Sequence, residues 1–118
     1  MKKYLSIFAA CCFFASCKEE TAIEKPENLI PEEKMADIIY DLSILQAMRN
    51  SHQAVLDSSH IDPNTYVYKK YKIDSLQFAR SNAYYAAKSI KDYEKIYTAV
   101  NDRILAEKAS ADSASKKK

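Results

Sequence analysis

The chain has 118 residues, room for one small domain. It contains no Gly and no Trp, which argues against a sheet protein whose hairpins need glycine turns and points to helices joined through Pro, Asn, Asp and Ser. The formal charge is +2; Lys2 and Lys3 account for that excess, and the balanced remainder excludes a nucleic-acid binder driven by bulk charge.

Met1 to Lys3 is a short positive start, and Tyr4 to Ala15 is an apolar run. The run falls well short of the roughly 20 residues that a spanning helix needs, so residues 1–16 read as a signal peptide. Phe14-Ala15-Ser16-Cys17 resembles a lipobox, with Phe14 where Leu is usual. The resemblance implies cleavage before Cys17, lipid on its sulfur, and a membrane as the first partner of the chain. Two or three acyl chains would make that anchor permanent, since each buried methylene contributes about 0.8 kcal/mol. Cys11 and Cys12 leave with the signal, so no thiol remains for a disulfide or a metal site. Lys18-Glu19-Glu20 resembles the lipoprotein export signal of Bacteroidota, which implies the outer face of the outer membrane. The periplasmic face is the alternative.

Residues 17–28 read as the lipidated N-terminus and a flexible polar tether. The helical domain then spans residues 29–108. Pro31 suits a first helical turn, and Glu32 and Glu33 favour the positive end of the helix dipole. Met35, Ile38, Ile39, Leu42 and Leu45 form an apolar stripe at helical spacing, predicting a helix to about Leu56. Asp57 to Asn64 reads as a turn closed by Pro63, followed by a short helix through Tyr66, Val67, Lys70 and Tyr71.

Asp74 and Gln77 have capping-box spacing, with Ile73 and Phe78 placed as a hydrophobic staple. The helix they open carries Leu76, Ala79 and Ala83. A last helix carries Tyr93, Ile96, Tyr97, Val100 and Ile104. Ser89 with Asp92 offers a cap between these two helices, yet no Pro or Gly forces a break, so one long helix and two helices both fit. Residues 109–118 read as a disordered tail. The expected fold is an all-α bundle of three or four helices.

Glu33, Asp37 and Asp41 recur every four residues on one helix face, where like charges cost a few tenths of a kcal/mol each. A hard cation would offset them; a solvated face, or pairing with Lys88, Lys91 and Lys95, is the simpler reading, and no metal is expected. Ser58, Ser59, His60 and Asp62 are triad residue types crowded into a turn, whereas a triad is defined by three-dimensional geometry. Tyrosine is frequent, and most of these rings should wall a thin core. Tyr84 and Tyr85 point about 100° apart on a helix. One of them is therefore a candidate exposed anchor, with Asp41 as a further candidate contact.

Pro26, Leu29-Ile30-Pro31, Lys34-Met35, Asp41-Leu42, Tyr71, Ile73, Phe78, Ser81, Tyr84-Tyr85, Tyr93-Glu94-Lys95-Ile96-Tyr97 and Val100 occur in this order. Together they resemble the small Bacteroidota lipoproteins grouped as domain of unknown function 4296. Ser89-Ile90 stands where that family usually has a proline. The resemblance covers roughly residues 26–105 and implies an all-α domain behind a lipoprotein signal, with no established activity. The expected function is a non-enzymatic, cofactor-free accessory module that docks on an outer-membrane protein or assembly. A lipoprotein holding a glycan or small ligand between its helices is the alternative.

Overall fold

The computed structural model describes residues 22–117. They form four helices and no strand: α1 (Glu32–Ser58), α2 (Pro63–Tyr71), α3 (Ser75–Lys88) and α4 (Ile90–Ser115). The fold is all-α. Helix α1 is the spine. Pro31 stands at its N-cap, and Met35 N–H donates to the Pro31 carbonyl at 2.8 Å. The helix kinks at His52 (φ −140°, ψ 47°). Just before the kink the Ser51 hydroxyl bonds back to the Ala47 carbonyl, an arrangement that bends helices.

Pro63 opens α2 instead of closing the preceding turn. It occupies the first helical position, where its missing N–H is harmless, and Asp62 caps the helix by accepting from Thr65 N–H at 2.9 Å. Helix α2 runs back along α1, tied by Lys70 and Tyr71 to Asp41 and by Arg49 to Asp62. The chain has no glycine for the left-handed positions after α1 and α2. His60 (φ 53°) and Lys72 (φ 54°) take them.

The Asp74 cap forms as expected, with Gln77 N–H donating to its carboxylate at 2.7 Å. The Gln77 side chain does not complete the box; its amide reaches across to the Asn28 carbonyl at 2.9 Å. Ile73 and Phe78 both pack against the core. One residue, Ser89 (φ −137°, ψ 61°), separates α3 from α4, so the last two helices are distinct. Its carbonyl accepts from Asp92 and Tyr93 N–H, and its hydroxyl donates to the Asp92 carboxylate. A polar hinge thus does the work of a proline.

Helix α4 runs beside α1 in the same direction: Asp92 at its start lies in one cleft with Glu32, while further along Arg103 pairs with Asp37 at 3.1 Å and lies 3.8 Å over the Tyr40 ring. The core gathers Ile30, Met35, Ile38, Ile39 and Tyr40 with Val67, Tyr85, Ile96 and Val100. Each large apolar side chain there contributes about 1.5–3 kcal/mol through burial.

Two expectations need correcting. The segment before α1 is not free up to Asn28. A turn closes it from Leu29 N–H to the Pro26 carbonyl, and Ile23, Lys25 and Asn28 line a cleft against Arg80 and Ala83 of α3. Burying Ile30 fixes this strap in place. At the other end, the helix does not stop near Lys108. Helix α4 continues to Ser115 with every residue after Ile104 exposed. Ala, Lys and Ser are compatible with helix, and no Gly or Pro ends it.

Candidate interaction groove

A few polar side chains in this fold tie its helices together. Asp41, half-buried, accepts from Lys70 Nζ at 2.7 Å and from the Tyr71 hydroxyl at 2.8 Å. Burial and then this carboxylate raise the Tyr71 pKa, and the same carboxylate raises that of Lys70. Asp37 pairs with Arg103. The acidic stripe is therefore divided between α2 and α4, and its partners are Lys70, Tyr71 and Arg103 instead of Lys88, Lys91 and Lys95. Glu33 is exposed. Among the described residues no group of three or more His, Cys, Asp or Glu side chains is arranged to hold a metal ion.

Tyr85 is a core residue. Its hydroxyl donates to the Ile30 carbonyl at 2.7 Å, and burial, followed by the charges of Glu32 and Asp92, pushes its pKa up. Tyr84 is half-buried, with its ring edge-on to Tyr85 at 5.9 Å. Neither ring stands out as a free anchor. In the Asp57–Asn64 turn, the triad residue types serve as caps. Ser58 bonds back to the Val55 carbonyl, Ser59 ends α1, His60 takes the left-handed position and Asp62 caps α2. Cys17, Lys18, Glu19 and Glu20 lie outside the described residues. No described helix is long and apolar enough to cross a membrane.

What stays open is aromatic and aliphatic. Helix α4 presents Tyr93, Tyr97, Val100 and Ile104 along a surface groove of about 580 Å3, rimmed by Glu94, Thr98 and Asn101. Tyr97 also lines a second groove of about 320 Å3, with Ile39, Leu42, Ser43 and Gln46 of α1, Asn64 of α2 and Phe78 of α3. The two depressions, one on α4 and one across the α1–α4 seam, share Tyr97 and together are called the trough. The Tyr93 and Tyr97 rings lie 4.5 Å apart. Tyr97 keeps 40% of its surface exposed. Burial of its phenol, then a hydrogen bond with Tyr93, pushes its pKa up to about 12.

The chain matches the family model for a domain of unknown function, DUF4296, across residues 26–110. It belongs to that family. No curated protein and no solved structure matches it. The DUF4296 match takes in the strap from Pro26 onward, all four helices up to Ser110 and the whole trough.

Within this DUF4296 domain, the residues that carry the sequence resemblance are mainly the ones that build the core. Ile30, Met35, Ser81, Tyr85, Ile96 and Val100 are buried, and Asp41 and Tyr71 bond to each other. Sequence reasoning did not pick out Leu42, Phe78 and Tyr97 as a surface. The stripe they belong to was visible as core periodicity, but periodicity does not show which part of a stripe its neighbours leave uncovered.

Proposed function

We propose that this DUF4296 chain is a non-enzymatic interaction module, held on the outer membrane by lipid on Cys17, that docks on an envelope protein or assembly. The Phe14-Ala15-Ser16-Cys17 pattern supports the anchor. Lys18-Glu19-Glu20 favours the outer face over the periplasmic one. The trough around Tyr97 carries the docking part of the reading: it is an aromatic–aliphatic surface that the fold leaves open. Tyrosines that combine an apolar ring with a wet hydroxyl suit such a contact. Docking needs only the lipid, the trough and a complementary partner surface, with no cofactor and no chemical step.

A photo-crosslinker placed at Leu42 in the full chain, activated in intact cells, tests this reading. Capture of one envelope protein, abolished by Tyr97→Ala, is expected. Recovery of background proteins only would overturn the docking reading. Changing Cys17 to Ser should release the protein from the membrane fraction; its retention there would overturn the anchor.

A glycan ligand is the second reading. Ser43, Gln46 and Asn64 line the trough beside Phe78 and Tyr97, so hydroxyl and amide groups sit next to aromatic rings. Isothermal titration with cell-envelope oligosaccharides would support it by heat that Tyr97→Ala removes.

A further inference from the structure

Helix α4 is longer than the core it packs on. Ile104 is its last half-buried residue, yet the helix runs on to Ser115, about 16 Å further at 1.5 Å per residue. So short a helical extension has little stability of its own in water. The solvent side of α4 also carries apolar residues. Ile90, Tyr97 and Leu105 are 58%, 40% and 56% exposed. At 100° per residue, Ile90, Glu94, Tyr97, Asn101, Leu105 and Lys108 fall within about 80° of arc. Ile96 and Val100, about 140° and 100° round the helix from Asn101, are buried against the core.

From this pattern we infer that the solvent face of α4 pairs antiparallel with α4 of a second copy of this chain, about a two-fold axis at Asn101. The charges are self-complementary in that register. Glu94 and Lys108 lie seven residues either side of Asn101, so each Glu94 comes level with the other copy's Lys108. Neither residue has an ion-pair partner among the described residues. Tyr97 and Leu105 lie four residues either side, so the exposed tyrosine of one copy comes level with the exposed leucine of the other. The overhang of each α4 then lies along the first half of its mate's α4, which gives it the packing it otherwise lacks. Such an interface is isologous and closed, the commonest kind in soluble oligomers.

The inference goes beyond the docking reading and does not depend on the lipid anchor. The paired face shares Glu94, Tyr97 and Asn101 with the trough, so the test reads self-association of the purified chain with no other protein present.

Purified full chain with Cys11, Cys12 and Cys17 changed to Ser and carrying Asn101→Cys, oxidised under mild conditions, should run at twice the monomer mass on a non-reducing gel. The same serine-substituted chain without Asn101→Cys, or with Ala99→Cys, whose side chain points away from this face, should not. Glu94→Lys alone and Lys108→Glu alone should each lower the Asn101→Cys crosslinking yield at least tenfold by setting like charges opposite each other. Mixing those two variants should restore it, because opposite charges then meet at both ends. Circular dichroism confirms that each variant is folded. A folded Asn101→Cys chain that stays monomeric would overturn the pairing. Equal crosslinking at Ala99→Cys, or no recovery on mixing, would overturn the register and with it the proposal.

Discussion

The Ser81 hydroxyl oxygen accepts the Ile30 N–H at 3.1 Å, a buried bond between residues fifty-one positions apart. Ser81 is completely buried and is the one buried polar side chain among the described residues. A buried amide without a partner costs about 1–3 kcal/mol. Ser81→Ala should therefore destabilise the domain by about that amount, measured by urea unfolding. Ser81→Thr keeps the hydroxyl and should recover part of the loss. An unchanged midpoint in Ser81→Ala would mean that water or another acceptor replaces the hydroxyl.

Asp41 joins α1 to α2 through two donors of unequal burial. Lys70 is about half exposed, so its ion pair is screened and should contribute less than about 1 kcal/mol. The Tyr71 hydroxyl is half-buried and depends more on its acceptor. Asp41→Ala should cost about 1–3 kcal/mol, and Lys70→Ala much less. Equal losses would show that the lysine, not the phenol, carries this contact.

Lys72 holds a left-handed conformation that an L-residue adopts at a cost of about 1–2 kcal/mol. Glycine removes that cost but gives the unfolded chain about 0.4–1 kcal/mol more entropy to lose. Lys72→Gly should therefore raise the melting temperature by a few degrees. A fall would mean that the lysine stem makes packing contacts that outweigh the backbone term.

Tyr97 gives a signature at alkaline pH. Its folded pKa, about 12, lies above the ordinary value of 10. A raised folded pKa means that Tyr97 contributes stability fully below about pH 10 and loses it as pH rises from 10 towards 12. Spectrophotometric titration should show a late tyrosine ionisation that disappears in Tyr97→Phe. Stability in the same window should fall less steeply in that variant.

The sequence revealed the helices well because its start signals are local. Asp74 with Gln77 N–H, and Glu32 and Glu33 behind Pro31, act within one turn of chain. Ser89 was harder. The break rests on one residue's backbone angles and a hydroxyl–carboxylate contact with Asp92, which composition does not distinguish from an ordinary helical serine. Pro63 fits the end of a turn as well as the first position of a helix, and its spacing does not distinguish the two. The strap was missed because its ties are remote: Asn28 to Gln77, and Ile30 to Ser81 and Tyr85. Tyr85 drew notice as a tyrosine beside another tyrosine, but only the folded chain shows the Ile30 carbonyl waiting for its hydroxyl. Tyr97 belongs to an apolar stripe in which Ile96 and Val100 are buried, and spacing alone does not show that Tyr97 stays 40% exposed.

Ile30 is tied to α3 through both its N–H and its carbonyl, while its side chain sits in the core. Any pull on the chain from the N-terminal side of residue 22 therefore reaches α3 before it reaches the first turn of α1. The load falls on two hydrogen bonds and a buried side chain together, not on helix ends that unzip one bond at a time. Ser81 and Tyr85 thus act as a mechanical strain relief. Under such a pull the first turn of α1 is expected to stay folded.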